Sequence, residues 1–234
     1  MTSAQSGSFL VLWDIDHTMI ETRGVGGAAF RAAFEEVTGH PVREMPHITG
    51  RTEPVIYEST ADLNGVVDRP SFDVFALALD AAYVVRQRDL AARGRILPGV
   101  EAALARLAAI PSLHQSVLTG NTRSVSRTKI ETFGLHRYLD LDIGAYGDDD
   151  GFRPALVSVA QSRAKAQTGQ QYDRQNTVLI GDSPGDIETA RRGGARIIAV
   201  AAGGTPATEL IEADFVLDDL TDVDALLKAI TEQV

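Results

Sequence analysis

Apolar and polar positions along this chain follow two different periods. Six short apolar runs, several rich in β-branched residues, predict β-strands at residues 9–13, 116–119, 140–145, 177–181, 196–202 and 214–217. Apolar residues at helical spacing predict helices at 100–109, 125–133, 155–167, 186–192, 207–213 and 223–230. Alternating strands and helices indicate an α/β fold with a mostly parallel sheet that is covered by helices on both faces.

One interval departs from this alternation. About a hundred residues separate the first predicted strand from the second, far more than an ordinary crossover contains. This interval shows helical patterns at 28–37, 53–63 and 72–92, and the last of these is apolar on one side. We therefore expect an inserted all-helical cap at 23–93, lying over the edge of a core formed by 1–22 and 94–234.

Composition narrows the class of protein. The net charge of −10 argues against a nucleic-acid partner, and the absence of cysteine excludes disulfides and thiolate metal sites. No apolar run approaches membrane-spanning length, and the polar residues 1–8 lack the features of a secretion signal. A cytoplasmic protein without a membrane partner is expected.

Polar side chains follow three of the predicted strands. Asp14 and Asp16 come after the first strand, Thr119 ends the second, and Asp182 follows the fourth. The carboxyl ends of neighbouring parallel strands meet at one crevice, so these groups should converge there. Carboxylates gathered in this way repel one another unless a divalent cation joins them, which favours phosphate chemistry.

The residue types suit phosphoryl transfer. An aspartate can attack phosphorus and form an acyl phosphate, and a second carboxyl group can exchange protons with the leaving oxygen and with water. The hydroxyl and backbone amides at Thr119–Asn121 could bind a phosphoryl oxygen. Each segment taken alone also fits an ordinary capping turn, and Asp186 in particular fits a first-turn acid.

Taken in chain order, the segments resemble the haloacid dehalogenase-like superfamily of aspartyl-phosphate hydrolases. The matching positions are Asp14, Asp16 and Thr18 in its DxDxT motif, Thr119 in its second motif, and Gly181, Asp182 and Asp186 in its GDxxxD motif. The resemblance implies a Rossmann-like core with a helical cap and a Mg²⁺ cofactor.

The resemblance also implies roles for these residues. Asp14 would be the nucleophile and Asp16 the general acid/base, with Thr119 and Arg153 completing the catalytic set. Mg²⁺ would be bound by Asp14, the backbone carbonyl of Asp16 and Asp182, with Asp186 in support.

Two positions depart from the family pattern. His17 stands where glycine is usual, and its backbone amide is expected to serve the phosphate. Arg153-Pro154 stands where lysine followed by proline is usual. Arginine neutralises phosphate but differs in shape from a lysine ammonium, so Lys129 is kept as the alternative third-motif cation.

The segment 48–52, together with Gly120 and Asn121, resembles phosphoglycolate phosphatase-like members of the superfamily. Gly120, Asn121 and Arg51 are therefore predicted to bind substrate, although a surface ion pair would equally explain Arg51. The leading hypothesis is a Mg²⁺-dependent phosphatase of a small-molecule phosphomonoester, acting as a monomer or homodimer. A sugar-phosphate mutase and a non-catalytic binding module on the same scaffold are the alternatives.

Overall fold

The structure, a computed structural model, describes residues 8–232. The sequence feature expected at the amino terminus, a polar segment without a secretion signal, falls almost wholly on residues 1–7, outside this range. The strands are β1 Phe9–Trp13, β2 Ile20–Glu21, β3 Arg95–Ile96, β4 Leu113–Val117, β5 Thr177–Gly181, β6 Arg196–Val200 and β7 Phe215–Leu217. The helices are α1 Val25–Thr38, α2 Glu53–Leu63, α3 Phe72–Val85, α4 Gln87–Arg93, α5 Val100–Ala108, α6 Arg123–Thr132, α7 Ala155–Thr168, α8 Pro184–Gly193 and α9 Val223–Thr231.

The core is a five-stranded, wholly parallel sheet in the order β4-β1-β5-β6-β7. Strand β1 lies inside the sheet, with Trp13 paired to Val117 of β4 on one side and to Ile180 of β5 on the other. A strand with neighbours on both edges and helices on both faces is buried, here from Leu10 to Trp13 with Phe9 partly buried, which explains its unbroken apolar run. The α/β prediction is confirmed.

Side chains of the sheet alternate between its two faces, as the twofold period of a strand requires. Val11, Trp13 and Val178 pack with residues of α5 and α9 in one apolar cluster. Leu10 and Leu12 pack with residues of α7 and α8 in another. Both helical layers hold the sheet rigidly, so the loops that follow its strands have fixed starting points.

Helices α1 to α4 lie between β2 and β3 and have an apolar cluster of their own. Its centre is aromatic: the rings of Tyr57 and Phe75 stack with centroids 4.4 Å apart, and Phe30 meets Phe75 edge-on at 5.0 Å. The chain enters and leaves this cap along the antiparallel pair β2–β3, where Ile20 faces Ile96. The predicted boundaries 23–93 enclose all four helices, and their status as a domain boundary stays a prediction.

Two predicted elements of the core are wrong. Residues 140–145 do not form a strand, because the Asp142 amide donates to the Asp140 carboxylate at 3.0 Å and turns the chain there. Ala145 alone pairs with Leu118, as an isolated parallel bridge. The helix predicted at 207–213 is limited to a 3-10 turn at Ala207–Glu209, because the chain must reverse to enter β7.

The single long helix predicted at 72–92 is divided at Arg86 into α3 and α4. The Arg86 guanidinium donates to the Ala82 carbonyl at 3.0 Å, which satisfies one acceptor at the end of α3. Leu90, on α4, belongs to the apolar cluster of the cap. Among the described residues, no helix combines the length and apolar character that crossing a membrane would require.

Candidate active site

Three carboxylates meet at the carboxyl edge of the sheet. Asp14 follows β1, Asp182 follows β5, and Asp186 lies in the first turn of α8. One oxygen from each lies within 4.8 Å of the other two, and all three residues are buried. The convergence predicted for the first and fourth segments is therefore seen in the structure.

Arg153 partly offsets the charge of this cluster. Its Nη2 lies 3.0 Å from Asp14 Oδ1 and donates to Asp186 Oδ1 at 2.6 Å. The guanidinium is buried, and its Nε lacks a hydrogen-bond partner among the described residues. Arg153 therefore contacts the predicted nucleophile, Asp14, as expected for the third-motif cation.

One guanidinium does not neutralise three buried carboxylates. Burial raises the pKa of Asp14 to about 7, opposed by Arg153 and reinforced by Asp186 and Asp16. Burial, with the charges of Asp186 and Asp14, raises the pKa of Asp182 to about 8. The cluster therefore has an excess of negative charge that favours protons or a cation.

Asp186 is the most constrained of the three carboxylates. Its Oδ2 accepts hydrogen bonds from the Ser183 amide at 3.1 Å and hydroxyl at 2.6 Å, while Ser183 Oγ caps α8 in return. With Oδ1 bound to Arg153, both oxygens have protein partners. This capping box agrees with the first alternative considered for Asp186, an acidic residue in the first turn of a helix.

The Asp182 side chain accepts a hydrogen bond from the Thr18 hydroxyl at 3.0 Å.

The oxygens of this cluster fit Mg²⁺ by their chemistry. Carboxylate and carbonyl oxygens are the ligands that this hard cation prefers. Burial first, and the neighbouring carboxylates second, raise the pKa values of Asp14 and Asp182, and a divalent charge would stabilise both carboxylates. The Asp16 carboxylate is not part of the cluster. Its separation agrees with the implied ligation through the Asp16 backbone rather than through its side chain.

The Asp16 carboxylate belongs to a second polar network. Lys129 Nζ donates to Asp16 Oδ2 at 2.6 Å and Oδ1 at 2.9 Å, and to Asn121 Oδ1 at 2.7 Å. Asn121 Nδ2 donates to Asp16 Oδ2 and to Thr119 Oγ1, each at 2.8 Å. Burial alone would raise the pKa of Asp16, but Lys129 and Asn121 lower it below its usual value.

These contacts distinguish the two candidate third-motif cations. Arg153, the preferred candidate, contacts Asp14, whereas Lys129, the alternative candidate, contacts Asp16.

The expectation that the His17 amide serves the phosphate is wrong, because this amide donates to the Ile20 carbonyl at 2.8 Å. His17 adopts a left-handed φ of 63°, a conformation glycine adopts more easily.

A cavity of about 220 Å³ opens between the sheet edge and the cap. Its floor carries the predicted catalytic side chains Asp14, Asp16, Thr119 and Arg153 together with Asp182 and Lys129. Its roof is mostly apolar and comes from the cap, with Phe30, Met45, Ile48, Ile56 and Leu79. Arg51, Gly120 and Asn121 also line it, so every residue predicted to bind substrate borders the same space.

The cap loop that carries Arg51 rests directly on the core. The Glu53 amide donates to the Gly120 carbonyl at 2.8 Å, and the Thr122 amide donates to Glu53 Oε2 at 3.1 Å. A Cβ on Gly120 would lie 2.0 Å from the Arg51 carbonyl oxygen. Contact this close requires glycine and shuts the cavity on that side.

The sequence did not predict two titratable residues that line the cavity, Glu53 and Tyr83. Burial raises the pKa of Glu53 to about 7, with Lys129 opposing the shift, and burial raises that of Tyr83 to about 12. Both come from cap helices and face Lys129, whose Nζ lies 5.4 Å from the Tyr83 ring centroid. Nothing in a single sequence distinguishes them from ordinary helix residues. Lys129 itself is buried, unlike the exposed helix position that its sequence context also allowed.

Comparison with known proteins agrees with this arrangement. The family model for haloacid dehalogenase-like hydrolases matches residues 11–200. A provisionally named pyrophosphatase, PpaX, from Caldanaerobacter subterraneus subsp. tengcongensis is 25% identical over 225 residues, covering 95% of this chain and 96% of PpaX.

Two solved structures share the fold over nearly their whole length. A hydrolase from Pseudomonas syringae has 19% identity and a TM-score of 0.69, covering 96% of this chain and 100% of that one. CbbY from Rhodobacter sphaeroides, solved with phosphate, has 17% identity and a TM-score of 0.69, covering 92% of this chain and 96% of that one. At these identities both structures bear on the fold alone.

Proposed function

This chain belongs to the haloacid dehalogenase-like hydrolases, and from that membership and its site we propose that it is a Mg²⁺-dependent phosphatase of small phosphomonoesters. One observation carries the proposal. Asp14 lies in contact with Arg153 at the floor of a cavity, while the Asp16 carboxylate borders the same cavity in a separate network. Two carboxylates with different partners suit two different chemical roles.

In this mechanism Asp14 attacks phosphorus in line, and the bond from phosphorus to the ester oxygen breaks. Arg153, which borders the cavity, offsets negative charge on the transferred group. Thr119 presents its hydroxyl to the same group. In its protonated form Asp16 supplies a proton to the departing oxygen. The carboxylate so formed, which Lys129 and Asn121 stabilise, then takes a proton from the water that hydrolyses the aspartyl phosphate.

Mg²⁺ would be held by Asp14, the Asp16 backbone carbonyl and Asp182, with Asp186 orienting Arg153 and the start of α8. When bound, the ion supplies charge stabilisation for the transferred phosphoryl group. The contact of the cap loop with Gly120 holds the cap against the floor of the cavity.

The roof of the cavity favours a phosphatase over the mutase alternative. A mutase must hold a sugar in two orientations, and each sugar hydroxyl buried without a partner costs about 1–3 kcal/mol. Phe30, Met45, Ile48 and Leu79 offer no side-chain hydrogen bonds to such hydroxyls. Polar side chains of the cap border the cavity only at Thr49, Arg51, Glu53 and Tyr83 among the described residues, so the leaving group meets a surface that is apolar over most of the roof.

The test measures phosphate release with Mg²⁺ from p-nitrophenyl phosphate and a panel of metabolite phosphates. Glycolate phosphate is included for the resemblance of 48–52, and inorganic pyrophosphate because the relative PpaX is named for it. Asp14→Asn should abolish release, and the exposed Asp224→Asn should leave it unchanged. A quenched reaction should show the wild-type chain heavier by one phosphoryl group, and the Asp14→Asn chain should not be.

Other outcomes identify the alternatives. Conversion of β-glucose 1-phosphate to the 6-phosphate without free phosphate would indicate a mutase. No turnover on any substrate, with wild type and Asp14→Asn indistinguishable, would contradict the phosphatase and favour the binding module.

A further inference from the structure

Lys129 has a buried ammonium group that the proposed chemistry at phosphorus does not use. Its side chain is 3% exposed, and it lies on α6, away from the three-carboxylate cluster. A lysine ammonium is costly to bury, and a methionine of similar length would fill the space without that cost. The contacts of the ammonium group show what its charge does locally.

Most hydrogen bonds of the Lys129 ammonium go to the Asp16 carboxylate. Two of its contacts, at 2.6 and 2.9 Å, go to both oxygens of Asp16, and the third goes to Asn121, which itself donates to Asp16. These hydrogen bonds fix the Asp16 carboxylate from one side. The Asp16 side chain is nevertheless 32% exposed, so it is held in place while remaining open to the cavity.

The same ammonium also contacts the cap. The ring of Tyr83, on α3, has its centroid 5.4 Å from Nζ, a distance typical of a cation–π contact. Glu53, at the start of α2, borders the same part of the cavity. Lys129 therefore lies where the floor carrying Asp16 meets the cap that closes over it.

We propose that Lys129 is a positioning residue, which holds the Asp16 carboxyl group against the departing ester oxygen. The proposal rests on the phosphatase function and on the role of Asp16 given above. Two cations then have separate roles: Arg153 acts at the nucleophile, and Lys129 acts at the acid/base. Lys129 makes no contact with the transferred phosphoryl group in this scheme.

Leaving-group dependence provides the test. p-Nitrophenolate departs without a proton, whereas an alkoxide needs one, so loss of acid catalysis affects alkyl phosphates selectively. In Lys129→Met, kcat/KM for the best alkyl phosphate of the panel should fall by roughly 10²-fold, and that for p-nitrophenyl phosphate by less than about 5-fold. Asp16→Asn should show the same selectivity, and the double variant should show no further loss on the alkyl ester.

The neighbouring Arg127→Met is the matched control, because it removes an exposed cation from the same helix. It should leave both substrates unaffected. Lys129→Arg keeps the buried charge but cannot place a planar guanidinium on the same atoms. Lys129→Arg should lower kcat/KM for the alkyl phosphate more than that for p-nitrophenyl phosphate. It replaces Lys129→Met in the test if circular dichroism shows that Lys129→Met does not fold.

Equal losses on both substrates in the lysine variants, or losses that add to those of Asp16→Asn, would overturn the proposal and leave Lys129 a structural residue. That result is distinct from failure of the phosphatase function, in which wild type itself releases no phosphate.

Discussion

The excess negative charge at Asp14, Asp182 and Asp186 predicts that the metal-free protein is destabilised by its own site. The informative change is Asp182→Asn, which keeps the shape of the side chain and an acceptor for the Thr18 hydroxyl. Burial and the neighbouring carboxylates raise the pKa of Asp182 from 3.8 to about 8. Between these values the folded protein binds a proton at this position that the unfolded chain does not.

The sign and size of the effect come from proton linkage. The free energy of unfolding of the metal-free wild type falls as pH rises from about 4 to about 8, by about 1.4 kcal/mol per pH unit for this one proton. The amide that replaces the carboxyl group in Asp182→Asn does not titrate, so the variant lacks this contribution. From about pH 5 to about pH 7 we expect the free energy of unfolding of the variant to rise by about 3 kcal/mol relative to that of wild type.

Urea unfolding in EDTA, followed by circular dichroism across that pH range, measures this difference. The exposed Asp224→Asn serves as the control and should run parallel to wild type. A difference between Asp182→Asn and wild type that does not change with pH would refute the raised pKa of Asp182 and its cause, burial beside other carboxylates. Saturating Mg²⁺ should restore the stability of wild type and leave the variant unchanged.

Three other measurements probe different parts of the same structure. Mg²⁺ should raise the melting temperature of wild type more at pH 8 than at pH 6, since its carboxylate ligands must first lose their protons; an equal rise at both values in thermal scans would contradict this. Gly120→Ala should raise KM and lower the melting temperature, because the added Cβ would lie 2.0 Å from the Arg51 carbonyl oxygen. Gly27→Ala adds a methyl group to open space and should raise the free energy of unfolding by about 0.5–1 kcal/mol in urea unfolding, because alanine favours the helical conformation of α1. Tyr57→Phe should cost about 1 kcal/mol in the same assay, since the hydroxyl donates to the Pro70 carbonyl at 2.8 Å; no loss would show that water replaces the bond.

Sequence reasoning located the floor of the site because strand order determines it. The residues after β1, β4 and β5 converge once those strands are adjacent and parallel, and their apolar runs identify them as strands. Asp14, Thr119 and Asp182 could therefore be placed together without coordinates. The strand at 140–145 could not be corrected in this way, because one Asp142–Asp140 hydrogen bond decides it.

The cap was less predictable because its contacts depend on angles between helices. The helical pattern gave α1 and α2, but nothing in it shows that the helix is interrupted at Arg86 or that Glu53 and Tyr83 face Lys129. Long-range pairing of a buried lysine with Asp16, 113 positions away in sequence, leaves no local periodicity. The roles of the individual site residues stay predictions until the variants are measured.

The pair β2–β3 gives the molecule a narrow neck. Both passages of the chain between core and cap run side by side there, and Arg95 donates to Glu21 with two hydrogen bonds, at 2.8 and 3.0 Å. An insertion whose two ends meet at one point can be lengthened, shortened or exchanged without shifting the register of the parallel sheet. Substitutions in the cap can therefore change the selectivity for the leaving group while the core keeps the residues that act at phosphorus. The β2–β3 pair connects these two parts of the chain.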